Sequence, residues 1–201
     1  NQIERIFGTD ARVVDDDFGV WIDARNGFLG RLGFRPAHIR IGVENLPLQI
    51  GIIHRVKIHD ANIADAAQKI ARAGFEASGQ QCISAQRVIV EAPVFDLFLT
   101  QFVAAAKNLK VGLPETPGVD VGPMVSEAAA QRVMQMFNDS VAAGARVALA
   151  PVRDRAVVSP GILVDAPKGA RLLCEEAFGP VVVVQRAANL EDALRQARCA
   201  I

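Results

Sequence analysis

The sequence carries no excess charge of either sign: 22 Lys and Arg oppose 22 Asp and Glu over 201 residues, and no basic block exceeds two side chains. Without that electrostatic footprint, neither nucleic acid nor an anionic membrane surface is an expected partner. Long apolar runs are missing too. Stretches such as Val181–Val184 fall far short of the ~18 residues a membrane-crossing helix needs. The first ten residues lack an initiator Met and the basic-then-apolar layout of a secretion signal. Cysteine is scarce and odd in number, Cys82, Cys174 and Cys199, which excludes a disulfide framework and fits a reducing, cytoplasmic setting. The three histidines, His38, His54 and His59, have no ligand spacing around them. The Asp15-Asp16-Asp17 run lacks the alternation and Gly turn of a calcium loop, so no metal is expected. What is present is apolar bulk: 51% of residues are hydrophobic, enough for a core and too many for a disordered chain.

Order along the chain is uneven. Between residues 18 and 53 apolar clusters are broken by Gly27, Gly30, Gly33, Pro36, Gly42, Pro47 and Gly51, a pattern that suits short strands and turns. From residue 60 the periodicity is regular. Capping side chains at Asp60 and Asn62 precede a helix expected over 63–77, ending near Gly79. Arg87–Val90 reads as a buried strand, and Pro93 opens a second helix with Phe95, Phe98, Leu99, Phe102, Val103, Ala106 and Leu109 on one face. Residues 111–123, with three prolines and three glycines, read as a loop. A third helix starts at Ser126-Glu127 and ends near Gly144, strands follow at 146–149, 161–164 and 181–185, and a last helix follows Asn189. Strands alternating with long helices indicate α/β units around a mainly parallel sheet.

Cys82 is the leading candidate for chemistry. It lies past a helix and ahead of a buried strand, where open α/β sheets place their sites, and a thiol held there can act as a nucleophile. A lone cysteine is equally at home as a small buried hydrophobe, so the residue by itself does not decide. Its surroundings do more. Asp60-Ala61-Asn62-Ile63, then Phe75-Glu76-Ala77-Ser78-Gly79-Gln80-Gln81-Cys82, then Arg87-Val88 resemble the catalytic-cysteine segment of the aldehyde dehydrogenase superfamily. Leu109-Lys110-Val111-Gly112, Pro114 and Asp120-Val121-Gly122-Pro123-Met124 resemble the loop that follows, and Glu175-Glu176-Ala177-Phe178-Gly179-Pro180-Val181 resembles that family's second signature. The resemblance spans residues 60–199 with order and spacing kept.

The resemblance implies an aldehyde dehydrogenase-like α/β catalytic domain and the oxidation of an aldehyde to a carboxylic acid with NAD or NADP. Cys82 would add to the aldehyde carbon as a thiohemiacetal that becomes a thioester, with its backbone N–H as one oxyanion donor. Glu176 falls on the cofactor-ribose carboxylate, and Phe178 on the ring beside the nicotinamide. Taken singly, they read as a helix-end carboxylate and a core Phe. Cys174 and Cys199 read as structural. A small aldehyde is the implied partner, and full-length relatives are implied to be homo-oligomers.

The resemblance stops near residue 55. The Glu of an expected Glu-Leu-Gly-Gly segment, which serves as base for thioester hydrolysis, falls on Leu48; Glu44 is four residues out of register with Pro47 between. The expected organisation is therefore an unmatched irregular segment over 1–55, attributed to a frameshift in preference to a recruited foreign segment, and a catalytic domain over 56–201 truncated at its C-terminus. Together with the missing Met, this reads as a fragment without the N-terminal cofactor-binding domain. Two functions follow: part of an aldehyde-oxidising enzyme that is inactive as this chain alone, or a degenerate α/β domain serving as a structural or interaction module. The particular aldehyde, and NAD against NADP, are not specified by these residues.

Overall fold

A computed structural model describes residues 62–198 and, nearer the N-terminus, the backbone of three strands. Leu48, Glu44, His38, His59, Cys199 and the Asp15-Asp16-Asp17 run lie outside the described residues. The strands are β1 (Phe18–Arg25), β2 (Ile41–Gly42), β3 (Gln49–Val56), β4 (Arg87–Glu91), β5 (Arg146–Leu149), β6 (Arg153–Asp154), β7 (Val157–Val158), β8 (Gly161–Val164) and β9 (Val181–Ala187). The helices are α1 (Ile63–Phe75), α2 (Ala92–Lys107), α3 (Glu127–Ala142), the single turn α4 (Arg171–Cys174) and α5 (Leu190–Arg198).

The helices begin where the sequence supplies caps. Asn62 accepts the Asp65 N–H at 3.0 Å to start α1, and Ser126 accepts that of Ala129 at 3.1 Å to start α3. In α2, proline stands in the first turn, where its missing N–H leaves no helical bond unmade. α1 closes two residues earlier than its periodicity indicates. Glu76 is extended, and Ala77 and Ser78 then take left-handed φ values of 50° and 57°.

Seven strands form one sheet in the order β2-β3-β1-β4-β9-β8-β5, and β6 and β7 form a separate hairpin. The three strands expected at 87–90, 161–164 and 181–185 lie side by side as the parallel centre, β4-β9-β8. Towards the edges the pairing is antiparallel: β5 with β8, β1 with both β4 and β3, and β2 with β3. The connections account for the difference. Helical crossovers are what let neighbouring strands run parallel, whereas the β6–β7 hairpin returns the chain from β5 to β8 without one.

Alternation along the central strands builds the core on both faces. Val88 and Val90, Ile162 and Val164, and Val182 and Val184 share one cluster with α1 and α2. Leu163, Val181 and Val183 pack in a second with Val133, Met136 and Phe137 of α3. On that same face Ile89 and Ala187 meet Ala193 and Leu194 of α5. The alternation explains why nearly the whole of each strand is apolar, since both faces are covered. In the first cluster the fully buried Phe102 stacks on Phe75 at 6.0 Å and on Phe98 at 5.5 Å, locking α2 onto α1. Phe102→Ala is expected to destabilise the chain by about 3–5 kcal/mol through the cavity it leaves. Urea unfolding followed by far-UV circular dichroism will measure the loss; a shift below ~1 kcal/mol contradicts this packing.

Candidate active site

Two loops carry the residues singled out above, and backbone geometry joins them. Beyond α1 the chain passes through three successive left-handed residues, Ala77, Ser78 and Gly79, the last at φ 64°. A Cβ at position 79 would lie 2.2 Å from the carbonyl oxygen of Gly179, so only glycine permits the approach. Gly179 is constrained in turn: a Cβ there would lie 2.5 Å from Cγ2 of Val133 on α3. The Cys82 loop, the Glu175–Pro180 segment and α3 are thus stacked with no spare volume.

Side chains fix the rest of the Cys82 loop. The buried Ser78 donates its hydroxyl to the Gly122 carbonyl at 2.7 Å. Gln80 accepts the Val125 N–H at 2.8 Å through Oε1, while its Nε2 donates to the Pro123 carbonyl at 3.5 Å. The proline- and glycine-rich segment is therefore a brace for this loop. Cys82 follows in a turn closed by the Ser84 N–H donating to the Gln81 carbonyl at 3.0 Å. Ser84 anchors the far side, its hydroxyl donating to the carbonyls of Ala73 and Gly74 at 3.2 and 3.1 Å. Cys82 itself is exposed at the tip.

The second loop leaves α4 through Glu175, whose carboxylate pairs with the Arg171 guanidinium at 2.9 Å. Arg171 also donates to Asp139 of α3, at 2.9 Å, and that bond holds the Asp139 carboxyl below its usual range, with Gln135 adding a second. Glu176 is half-buried and Ala177 buried. Phe178 is no ordinary core residue: it is 38% exposed and adopts a left-handed φ of 48°, a conformation that costs a bulky side chain about 1–2 kcal/mol.

The structure brings the segment of Cys82 together with that of Glu176 and Phe178 through the Gly79–Gly179 approach. Two residues that build the site, Gln86 and Arg132, were not singled out in the sequence, and Ser78 and Gln80 stood inside a quoted motif without a role. The place of Ser78 and Gln80 beside Gly79 was the available signal; Gln86 and Arg132 carried none, since the site atoms they bond are backbone atoms far along the chain. Cys174, read as structural, is exposed at the end of α4. It lines a cavity of about 460 Å³ with Arg87, Lys168, Asp192 and Gln196, away from Cys82, Glu176 and Phe178.

The profile of the aldehyde dehydrogenase family matches residues 54–198. The chain belongs to the aldehyde dehydrogenase family. It is 40% identical over 134 residues to succinate-semialdehyde dehydrogenase [NADP(+)] 1 of Mycobacterium tuberculosis, covering 65% of this chain and 29% of that protein. It is 32% identical over 157 residues to the aldehyde-dehydrogenase-like protein y4uC of Sinorhizobium fredii, covering 78% and 31%. Among solved structures, an NAD-dependent benzaldehyde dehydrogenase from Corynebacterium glutamicum matches with a TM-score of 0.65 and 33% identity over 70% of this chain and 31% of its own. The chain thus spans about three tenths of the length of the aldehyde dehydrogenases it matches. Among the described residues, no helix is long and apolar enough to cross a membrane.

If the Gly79–Gly179 approach sets the distance between the two loops, Gly79→Ala will force them apart and destabilise the fold by about 2–4 kcal/mol, combining a left-handed φ with a backbone clash. Thermal unfolding will show it as a lowered midpoint, and an unchanged midpoint contradicts the approach described.

Proposed function

We propose that residues 56–201 form the nucleophile-bearing portion of an enzyme that oxidises an aldehyde to a carboxylic acid with NAD or NADP, in which Cys82 attacks the substrate and Glu176 and Phe178 face the cofactor. The observation that carries this reading is the meeting of the two loops at Gly79 and Gly179. It sets an exposed thiol turn against a fixed segment bearing a carboxylate and an exposed aromatic ring. An exposed, conformationally strained Phe on a braced backbone suits a flat heteroaromatic ring better than it suits solvent, so the residues present fit a nicotinamide nucleotide.

The chain's own residues then have defined work. The Cys82 sulfur adds to the carbonyl carbon, forming a C–S bond and placing negative charge on the former carbonyl oxygen. The family resemblance assigns the Cys82 backbone N–H as one donor to that oxygen. When bound, the cofactor supplies the acceptor for the hydride that leaves the adduct carbon. Cys82 is left acylated as a thioester, which water cleaves to release the acid and restore the thiol. That last step needs a base, and Leu48, standing where the family resemblance puts Glu, cannot accept a proton. Lost general-base assistance lowers such a step by about 10²–10⁴-fold. The reading therefore includes inactivity of this chain by itself. The setting of the enzyme is read as the cytoplasm.

Two measurements test the reading. Near neutral pH, iodoacetamide is expected to label Cys82 ahead of Cys174, as followed by peptide mapping. Both thiols are exposed, but only Cys82 stands on the braced turn that meets the Phe178 segment, whereas Cys174 ends the single turn α4. Preferential labelling of Cys174 or Cys199 overturns the nucleophile assignment. In stopped flow with excess short-chain aldehyde and either cofactor, this chain is expected to form no more than one equivalent of reduced cofactor. Steady turnover abolished by Cys82→Ala would refute its inactivity.

A further inference from the structure

The backbone around Ala177 is gripped from two directions. Its N–H donates to Oε1 of Gln86 at 3.0 Å, and its carbonyl accepts from Nη2 of Arg132 at 2.5 Å. Nη1 of Arg132 reaches the Glu176 carbonyl at 3.4 Å. The peptide unit between Glu176 and Ala177 is therefore bonded at both poles, and the next one, which enters Phe178, is bonded at its carbonyl. Gln86 lies four residues beyond Cys82 at the entry to β4, and Arg132 lies on α3. The two grips belong to different elements and have opposite chemistry, an acceptor and a cation.

We propose that Gln86 and Arg132 are positioning residues that together fix the backbone of Glu176-Ala177-Phe178 and thereby hold Phe178 in its left-handed conformation, beside the Cys82 loop. Deepening the reading of Glu176 and Phe178 as cofactor-facing, the inference rests on that reading for its catalytic meaning. A flip of either peptide unit would turn a carbonyl away from a guanidinium, and a flip of the first would also turn an N–H away from Gln86. The orientation of the Gln86 amide is set by the same bond. Its Nε2 is buried with no partner among the described residues, so rotating the amide would only aim a donor at the Ala177 N–H. Phe178 thus keeps a φ of 48° because the unit ahead of it is held by Arg132 and Gly179 beyond it is wedged between Gly79 and Val133. Through Gln86 the grip also links the thiol loop to the Phe178 segment, so the two move as one body.

The test is nuclear magnetic resonance on the full chain, isotopically labelled, with no cofactor added. The Cα and Cβ shifts of Phe178 report its left-handed φ, and exchange of the Ala177 amide reports its bond to Gln86. Gln86→Met is expected to speed Ala177 exchange about tenfold, the loss of one hydrogen bond. Gln86→Glu, which keeps an acceptor oxygen, restores slow exchange. Arg132→Met is expected to abolish the left-handed signature of Phe178, and Arg132→Lys to retain it. Signals from α2 stay in place in all four, which a general loss of stability would not allow. Wild-type signals at Ala177 and Phe178 in the Met variants overturn the proposal, and so do changes spread evenly over α2. The two Met variants are read independently, so if one does not fold the other decides. Because no cofactor enters, these outcomes judge the grip alone, whereas the alkylation and turnover measurements judge the cofactor-facing reading.

Discussion

The contact on which the rest of this structure depends is between two stretches of main chain. Gly79 and the Gly179 carbonyl approach so closely that no side chain fits between them, and Val133 closes the space behind. Such an approach leaves no room for water or adjustment, so the relative placing of the two loops is a property of the backbone. Side chains that would form a reacting site inherit their positions from it. This is a stiffer arrangement than loops docked through long polar side chains, whose rotamers could absorb a shift.

The frame behind that contact is equally inflexible. The parallel centre β4-β9-β8 is covered on one face by α1 and α2 and on the other by α3 and α5, and each loop leads into one of its strands, the Cys82 loop into β4 and the Phe178 segment into β9. The turn bearing Cys82 is tied back to α1 by Ser84 and sideways to the proline-rich brace by Ser78 and Gln80. The main chain that carries Cys82 is thus anchored on both sides of the turn.

Much of this was legible from residue 60 onward because caps and periodicity act locally. Asn62, Pro93 and Ser126 marked helix starts that lie within a residue of those observed, and runs such as Val181–Val184 marked strands buried on both faces. The meeting of the Cys82 and Phe178 segments was legible only through family resemblance, since no local rule relates residues a hundred positions apart. The β6–β7 hairpin was missed because two-residue strands leave too little pattern to read, and the antiparallel edges because a strand's pattern does not carry the direction of its neighbour. The left-handed Ala77, Ser78 and Phe178 could not be foreseen from residue type, which argues against that conformation; tertiary bonds impose it. Gln86 and Arg132 were invisible for a related reason: their worth lies in carbonyl and N–H groups that every residue possesses.

The hundred positions that separate Gly79 from Gly179 also set an order of assembly. As a ribosome releases the chain, α1, the cysteine turn and β4 emerge before the Gly179 segment, and β4 lacks its parallel neighbour until β9 has been made. Arg87 follows the same timetable: its guanidinium reaches Gln185 at 2.9 Å and the Gln196 carbonyl at 2.5 Å, groups made 98 and 109 positions after it. Over that stretch of synthesis the nascent chain therefore presents an unpaired strand edge, an unburied cation and a thiol turn without its opposing wall. Closure of the domain waits for the segment that bears Gly179, and a ribosome that stalls before adding it leaves behind a chain in which none of these three is covered.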